Sequence, residues 1–150
     1  MVRSAKPAGG HDPGPTDADE GIWRGRKVAR RLVSPDGMVV LVGRNAEDND
    51  ILTVKLASPR DFWLHVASGP GSHVVVRNPG GLRRLPRETQ RFAAGLAAGY
   101  SSAKDGGRTA VHLALAGDVG KPRGFAPGKV QLARFETVMA TPQRAPEAGS

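Results

Sequence analysis

The segment DFWLHVASGPGSHVVVRNP, residues 61–79, decides how this chain folds. In DFWLHV, Asp61, Trp63 and His65 alternate with Phe62, Leu64 and Val66, the two-residue period of a strand whose faces meet different surroundings. In SHVVVRN, Ser72, Val74 and Val76 oppose His73, Val75 and Arg77 in the same way. Between them Ser68-Gly69-Pro70-Gly71 must reverse the chain. The expectation is a hairpin that carries two imidazoles, an indole, a carboxylate and a guanidinium close to one turn.

Upstream, VARRLVSPDGMVVLVG is two β-prone runs around Ser34-Pro35-Asp36-Gly37, a turn signal that predicts a second hairpin. RNAEDNDILTVKLAS, residues 44–58, predicts a short helix, with Asn45 as N-cap and Glu47 and Asp48 in the first turn. Downstream, LPRETQRFAAGLAAGYSSAK, residues 85–104, predicts a longer one. Pro86 suits the first helical position, Phe92, Leu96 and Tyr100 recur one turn apart, and Gly95 and Gly99 allow close approach to a sheet. TAVHLALAGDV reads as a strand, GKPRGFAPGK as a basic turn, and VQLARFETVMA as a final strand or two. Strands outnumber helices and the connections are too short for βαβ units. The class is therefore α+β, a mainly antiparallel sheet with one long and one short helix in a single domain. Its bounds are residues 22–142. Residues 1–21 and 143–150 hold too few large apolar side chains to offset the entropy of ordering, and are expected to be disordered.

The 150 residues carry a formal net charge of +8, with 22 Lys and Arg against 14 Asp and Glu. Apart from Lys6, Lys27, Lys55, Lys104, Lys121 and Lys129 the basic residues are arginines, whose planar fork matches phosphate. Only Arg3, Lys6 and Arg144 lie outside residues 22–142, whereas Asp12, Asp17, Asp19, Glu20 and Glu147 all do, so the positive charge belongs to the folded part. A polyanion is the leading partner class; the alternative is a surface made basic by proteome composition alone. The absence of cysteine excludes disulfides and thiolate chemistry and fits a reducing cytoplasm. No stretch approaches the roughly 20 apolar residues of a membrane helix, so a soluble cytoplasmic protein without a membrane partner is expected.

Four chemistries compete for the 61–79 hairpin. A zinc ion needs three or four ligands within about 2.3 Å, whereas Asp61 and His65 lie roughly 13 Å apart along an extended strand, so no metal is expected. A histidine pair on adjoining strands can flank a phosphate and move protons near neutrality. An RNA-processing or RNA-modifying enzyme using Asp61, His65 and His73 is therefore one reading, and a histidine held in a polar seam is the plainer one for His65. His112 reads as a core or sheet-face residue. The glycine turns GPGS and GKPRG lack Walker spacing, and neither a nucleotide cofactor nor a small-molecule substrate is expected. As exposed backbone beside Lys121, Arg123 and Lys129 they can still grip a phosphodiester chain. Nucleic-acid binding by charge and stacking is the fourth reading. Aromatic residues make up only 5% of the chain, and Phe62, Phe92 and Tyr100 read as core, which favours phosphate recognition over an extensive stacking platform.

Five segments stand in the order and spacing of a known domain: GRNAEDND, the 61–79 hairpin, AAGYSSAK, GKPRGFAPGKV and TVMATP. Over about residues 22–142 the chain resembles the NFACT-R family, the RNA-binding domain of the ribosome quality-control proteins NEMF and RqcH. Gly43, Arg44, Asn45, Asn49 and Asp50 match one family segment, and Asp61, Trp63 and His65 match its Asp-x-Trp-x-His strand. Pro70, Gly71, Ser72 and His73 match the turn after it, and Lys121, Pro122, Gly124, Pro127 and Gly128 its Lys-Pro-x-Gly-x-x-Pro-Gly loop. Val66, where alanine is usual, and Ala46 are small departures. The NFACT-N domain, helix-hairpin-helix segment and coiled coil of the long proteins have no counterpart here, so tail synthesis is not implied. The resemblance implies a free-standing bacterial NFACT-R protein: a non-enzymatic module, without cofactor, that binds tRNA or ribosomal RNA, with the large ribosomal subunit as a further partner. Arg44, Arg77, Lys121, Arg123 and Lys129 are the expected phosphate ligands, and Asn45, Trp63, His65, Ser72 and His73 the expected contact surface; the alternative for Trp63, His65 and His73 is a structural role, holding the hairpin in shape. A protein-interaction domain is the remaining alternative.

Overall fold

The computed structural model describes residues 17–144. A small hairpin of β1 (Ile22–Trp23) and β2 (Arg26–Lys27) leads into β3 (Ala29–Val33) and β4 (Val39–Gly43). Helix α1 (Ala46–Asp50) runs on as a π-helical segment, Ile51–Leu56, and is followed by β5 (Phe62–Val66) and β6 (Val74–Val76). Then come α2 (Arg87–Gly99), β7 (Thr109–Leu115), the short pair β8 (Val119–Gly120) and β9 (Gln131–Leu132), and β10 (Glu136–Ala140). Six of the strands form one antiparallel sheet in the order β10-β7-β5-β6-β4-β3. This is the expected α+β class. The β1–β2 hairpin was not legible in advance, because its strands are two residues long and show no alternation.

The central strands are buried on both faces, which is why their sequences run FWLHV and VVV rather than apolar and polar by turns. In the β5–β6 register Trp63 lies opposite Val75 and Leu64 opposite Val74. Phe62, Leu64, Val74 and Val76 join Val40 and Val42 beneath α2, which lays its Ala93, Ala94, Leu96, Ala97 and Ala98 onto them. Trp63 and Val75, with Leu41 and Ala114, face the other way, toward Leu52 and Leu56 of the π-helical segment. Asparagine 45 caps α1 as expected, its Oδ1 accepting from the Asp48 amide at 2.8 Å. Pro86 stands one residue earlier than expected, extended at the N-cap of α2. The cap itself comes from the β3–β4 turn, where the Asp36 carboxylate accepts from the Thr89 amide and hydroxyl.

Gly99 has a cause other than sheet packing. A Cβ there would lie 1.7 Å from the carbonyl oxygen of Gln143, because the chain beyond β10 crosses directly over α2. The Gln143 amide donates to Gly95 O, and the Arg144 guanidinium lies 4.6 Å from the Tyr100 ring centroid. Residues 143 and 144 are thus packed rather than disordered, which corrects the expected C-terminal boundary. The N-terminal boundary moves as well: residues 17–21 form a hydrogen-bonded turn, the Asp19 carboxylate accepts from Arg77, and Gly21 O accepts from the Val28 amide. Residues 1–16 and 145–150, the rest of the expected tails, lie outside the described residues. Among the described residues no helix is long and apolar enough to cross a membrane.

Candidate functional site

The β5–β6 turn, the start of α1 and the loop between β8 and β9 enclose an open groove of about 1340 Å³. It lies on the sheet face of Trp63 and His65, opposite the face that carries most of α2. His65, Asn45, Tyr100, Phe125, Lys129 and Phe135 contribute to its walls. Phe125 and Phe135 are large exposed apolar groups at 42% and 48%, and Phe135 packs on His112 with ring centroids 4.4 Å apart. At one end Tyr100 lies between the guanidinium groups of Arg30 and Arg144, 5.4 and 4.6 Å from its ring centroid.

Beneath the groove a single hydrogen-bonded chain sets the floor. The Trp63 indole donates Nε1–H to Thr53 Oγ1 at 3.1 Å, and Thr53 Oγ1 lies 2.7 Å from His73 Nδ1. His73 Nε2 is 3.0 Å from the Gly128 carbonyl oxygen, which can only accept. Nε2 must therefore carry a proton, and in the neutral ring Nδ1 accepts from the Thr53 hydroxyl. Burial holds the imidazole in that neutral form: it lowers the His73 pKa from 6.5 to about 4, with the neighbouring His65 adding to the effect and the Gly128 hydrogen bond opposing it. Burial also lowers the pKa of His65, against backbone hydrogen bonds at Val66 and Gly71. The three rings pack together, His65 stacked on Trp63 at 5.9 Å and His73 edge-on to both. The result is an uncharged aromatic floor.

The remaining motif residues tie this floor to its surroundings. Asn49 accepts from the His73 amide and donates to Gly71 O, and Ser72 Oγ donates to Gly43 O at 2.8 Å. A Cβ on Gly43 would lie 1.9 Å from Asn49 Oδ1, so no larger residue fits there. Asp50 reaches across to the β8–β9 loop, accepting from the Gly128 amide and pairing with Lys121 at 3.2 Å. Segments 43–50, 61–73 and 121–128 therefore meet in one knot.

This geometry changes the standing of several expected contact residues. Trp63 and His73 are 1% and 0% exposed, so they build the floor from within and His65 is the one of the three rings that reaches the surface. Arg77 is not an available phosphate ligand: its guanidinium donates to Asp61 at 2.7 Å, to Asp19 at 2.9 Å and to Leu56 O. Asp61, 2% exposed, also accepts from the amides of Ser58 and Asn78, so its carboxylate serves the Arg77 junction and not an imidazole. Lys121 folds inward, donating to the carbonyls of Ala126 and Lys129 beside Asp50. Arg44, Asn45, Arg123 and Lys129 are exposed, and His65 and Ser72 are half-buried. Sequence reasoning missed Thr53, which had no signal beyond an apolar helix face. It also missed Phe125 and Phe135 as groove walls and took Tyr100 for core. An aromatic inside the Gly-Pro-rich basic loop was the available clue for Phe125.

Three comparisons bear on this arrangement. Residues 28–133 match the model of the NFACT protein RNA binding domain. The chain is 38% identical over 115 residues to the Rqc2 homolog RqcH of Bacillus subtilis, covering 77% of this chain and 20% of that protein. It is 30% identical over 74 residues to the ribosome quality control complex subunit NEMF homolog of Drosophila melanogaster, covering 49% of this chain and 7% of that one. Among solved structures, the C-terminal part of the fibronectin/fibrinogen-binding protein from Streptococcus suis superposes with a TM-score of 0.72 at 34% identity, over 79% of this chain and 47% of that one. The chain spans about a fifth of the length of the curated bacterial relatives it matches. It belongs to the NFACT RNA-binding domain family.

Proposed function

We propose that this NFACT-R domain binds RNA through the groove, seating unpaired bases against its neutral aromatic walls while Arg44, Arg123 and Lys129 hold the flanking phosphates. The observation that carries the reading is that exposed aromatic walls, Phe125 and Phe135, stand over an uncharged floor beside the exposed Arg44, Arg123 and Lys129. Bases stack on such surfaces whatever their identity, and phosphates supply the affinity. The ligand class follows the family's RNA-binding description and the net charge of +8. Transfer RNA or ribosomal RNA in the cytoplasm is the target class, with the large ribosomal subunit as the larger partner, in keeping with relatives named for ribosome quality control.

The domain acts without chemistry of its own and without a cofactor or small-molecule substrate. Both ring nitrogens of His73 are engaged by Thr53 and Gly128, and Asp61 is engaged by Arg77, which leaves the expected acid-base set without a free partner for His65. Fluorescence anisotropy with labelled tRNA and single-stranded RNA over a potassium chloride series tests the reading. Affinity should fall with salt by roughly 0.7 log units per tenfold salt for each single-strand phosphate contact. Absence of binding at low salt, or turnover of the RNA by the purified domain, overturns it.

A further inference from the structure

A second cleft lies on the other side of the sheet. The first half of α2 and the end of β10 enclose about 390 Å³, lined by Arg87 and Arg91, one helical turn apart, together with Arg108, the residue before β7. Gln90 and Gln143 add amide groups between them, and Met139, 51% exposed, forms an apolar lip. Among the described residues no carboxylate lines the cleft. The nearest ion pair, Arg91 with Glu88 at 3.8 Å, joins side chains that are 68% and 52% exposed, and such a pair is weak in water. Among the described residues like charges share one concavity here without a carboxylate in its lining, in contrast to Arg77 and Lys121, each of which meets an aspartate. The apolar packing of α2 does not use these arginines: the helix buries residues 93–99 in its second half, and Arg87 and Arg91 are exposed in its first half.

We infer that Arg87, Arg91 and Arg108 form a second phosphodiester-binding site, separate from the groove, through which the domain holds a further stretch of RNA backbone. Three guanidinium forks and two amides supply donors to the oxygens of a phosphate, and the Met139 lip can cover the adjoining sugar. The choice of RNA over an acidic peptide rests on the RNA-binding reading above; the existence of the anion site does not. Arg87 and Arg91 precede Tyr100, at the groove's edge, by roughly three and a half and two and a half helical turns, a separation on the order of 14–20 Å at about 1.5 Å per residue. A trinucleotide is too short to occupy both places well, and a longer strand or a folded RNA can reach both.

The test is a titration of the isotope-labelled domain with a single-stranded oligo-uridylate trinucleotide, following the arginine Nε–Hε resonances and the backbone amides of residues 123–129. The proposal expects the resonances of Arg87, Arg91 and Arg108 to shift along a saturation curve independent of that of the groove. The exposed double variant Arg87→Ala, Arg108→Ala should abolish the arginine curve, leave the groove curve in place, and lower the salt slope for a 20-nucleotide strand by about 1.4, two contacts at roughly 0.7 each. Circular dichroism of that variant checks that α2 is intact. Movement of the groove amides alone overturns the second site, and movement of the arginines alone overturns the groove reading while upholding this one. Displacement of the trinucleotide by a polyglutamate peptide at equal charge concentration overturns the assignment to RNA in favour of an acidic protein surface.

Discussion

In the β5–β6 hairpin Trp63 and His73 are 1% and 0% exposed, and each of their polar side-chain atoms has a hydrogen-bond partner. In the β8–β9 loop that faces it, Phe125 is 42% exposed and Arg123 and Lys129 stand in solvent. The two regions form one groove, yet the residues that mark the family most sharply are its foundations, and those that can meet a ligand are compositionally ordinary. A buried tryptophan, threonine and histidine must each find a partner of the right polarity at the right distance, so few alternatives fit them. A rim that grips phosphate by charge tolerates many.

The largest effect separating the two regions is on stability. Trp63→Ala removes a fully buried indole and the donor to Thr53 Oγ1, and should cost roughly 3–5 kcal/mol, read as a lower urea midpoint with the slope preserved. A change below about 1 kcal/mol would mean that the floor is not the foundation described here.

Acid is the next probe of the floor. His73 has its pKa lowered from 6.5 to about 4 in the folded chain, so between those values the unfolded state takes up a proton that the folded state refuses. Its contribution is complete above about pH 6.5 and is lost as the pH falls toward 4, a loss of roughly 3 kcal/mol at about 1.4 kcal/mol per unit. His65, shifted in the same direction, adds to it. Urea midpoints measured from pH 7 to 4 should fall, and His73→Gln should flatten the curve. An unchanged pH profile in that variant would place the acid sensitivity elsewhere.

What could be read in advance follows the same division. The β3–β4 turn was legible because Ser34-Pro35-Asp36-Gly37 acts on its own backbone, and the faces of Trp63 and His65 were legible because strand alternation is local. The role of His73 was not, since Thr53 lies 20 residues away and Gly128 lies 55. Asp61 and Arg77 were read as candidate chemistry for the same reason. Both are charged and near a turn, and only their 2.7 Å contact beneath the Asp19 turn shows that each neutralises the other. The arginines of the second cleft were counted in the net charge but not placed, because Arg108 joins Arg87 and Arg91 only when β7 and α2 pack.

At the rim the same logic predicts binding loss without unfolding. Phe125→Ala should weaken single-stranded RNA binding by about 1–3 kcal/mol, the range for one stacked base, while shifting stability by no more than about 0.5 kcal/mol. Equal losses in both measurements would place Phe125 with the floor.

The smallest effect sharpens the comparison most, because it divides two lysines of one loop. Lys121 donates to the Ala126 and Lys129 carbonyls and pairs with Asp50, so its ammonium holds the loop to α1; Lys129 projects from the same loop into solvent. Lys129→Ala should lower the slope of log K against log salt by about 0.7 and leave amide exchange in residues 121–130 unchanged. Lys121→Ala should speed that exchange by releasing the loop, and reduce affinity without a matching change of slope, since a charge already paired with Asp50 displaces few counterions from RNA. If Lys121→Ala instead lowers the slope while Lys129→Ala does not, the inward lysine leaves Asp50 for phosphate on binding, and the boundary between floor and rim runs through the loop itself.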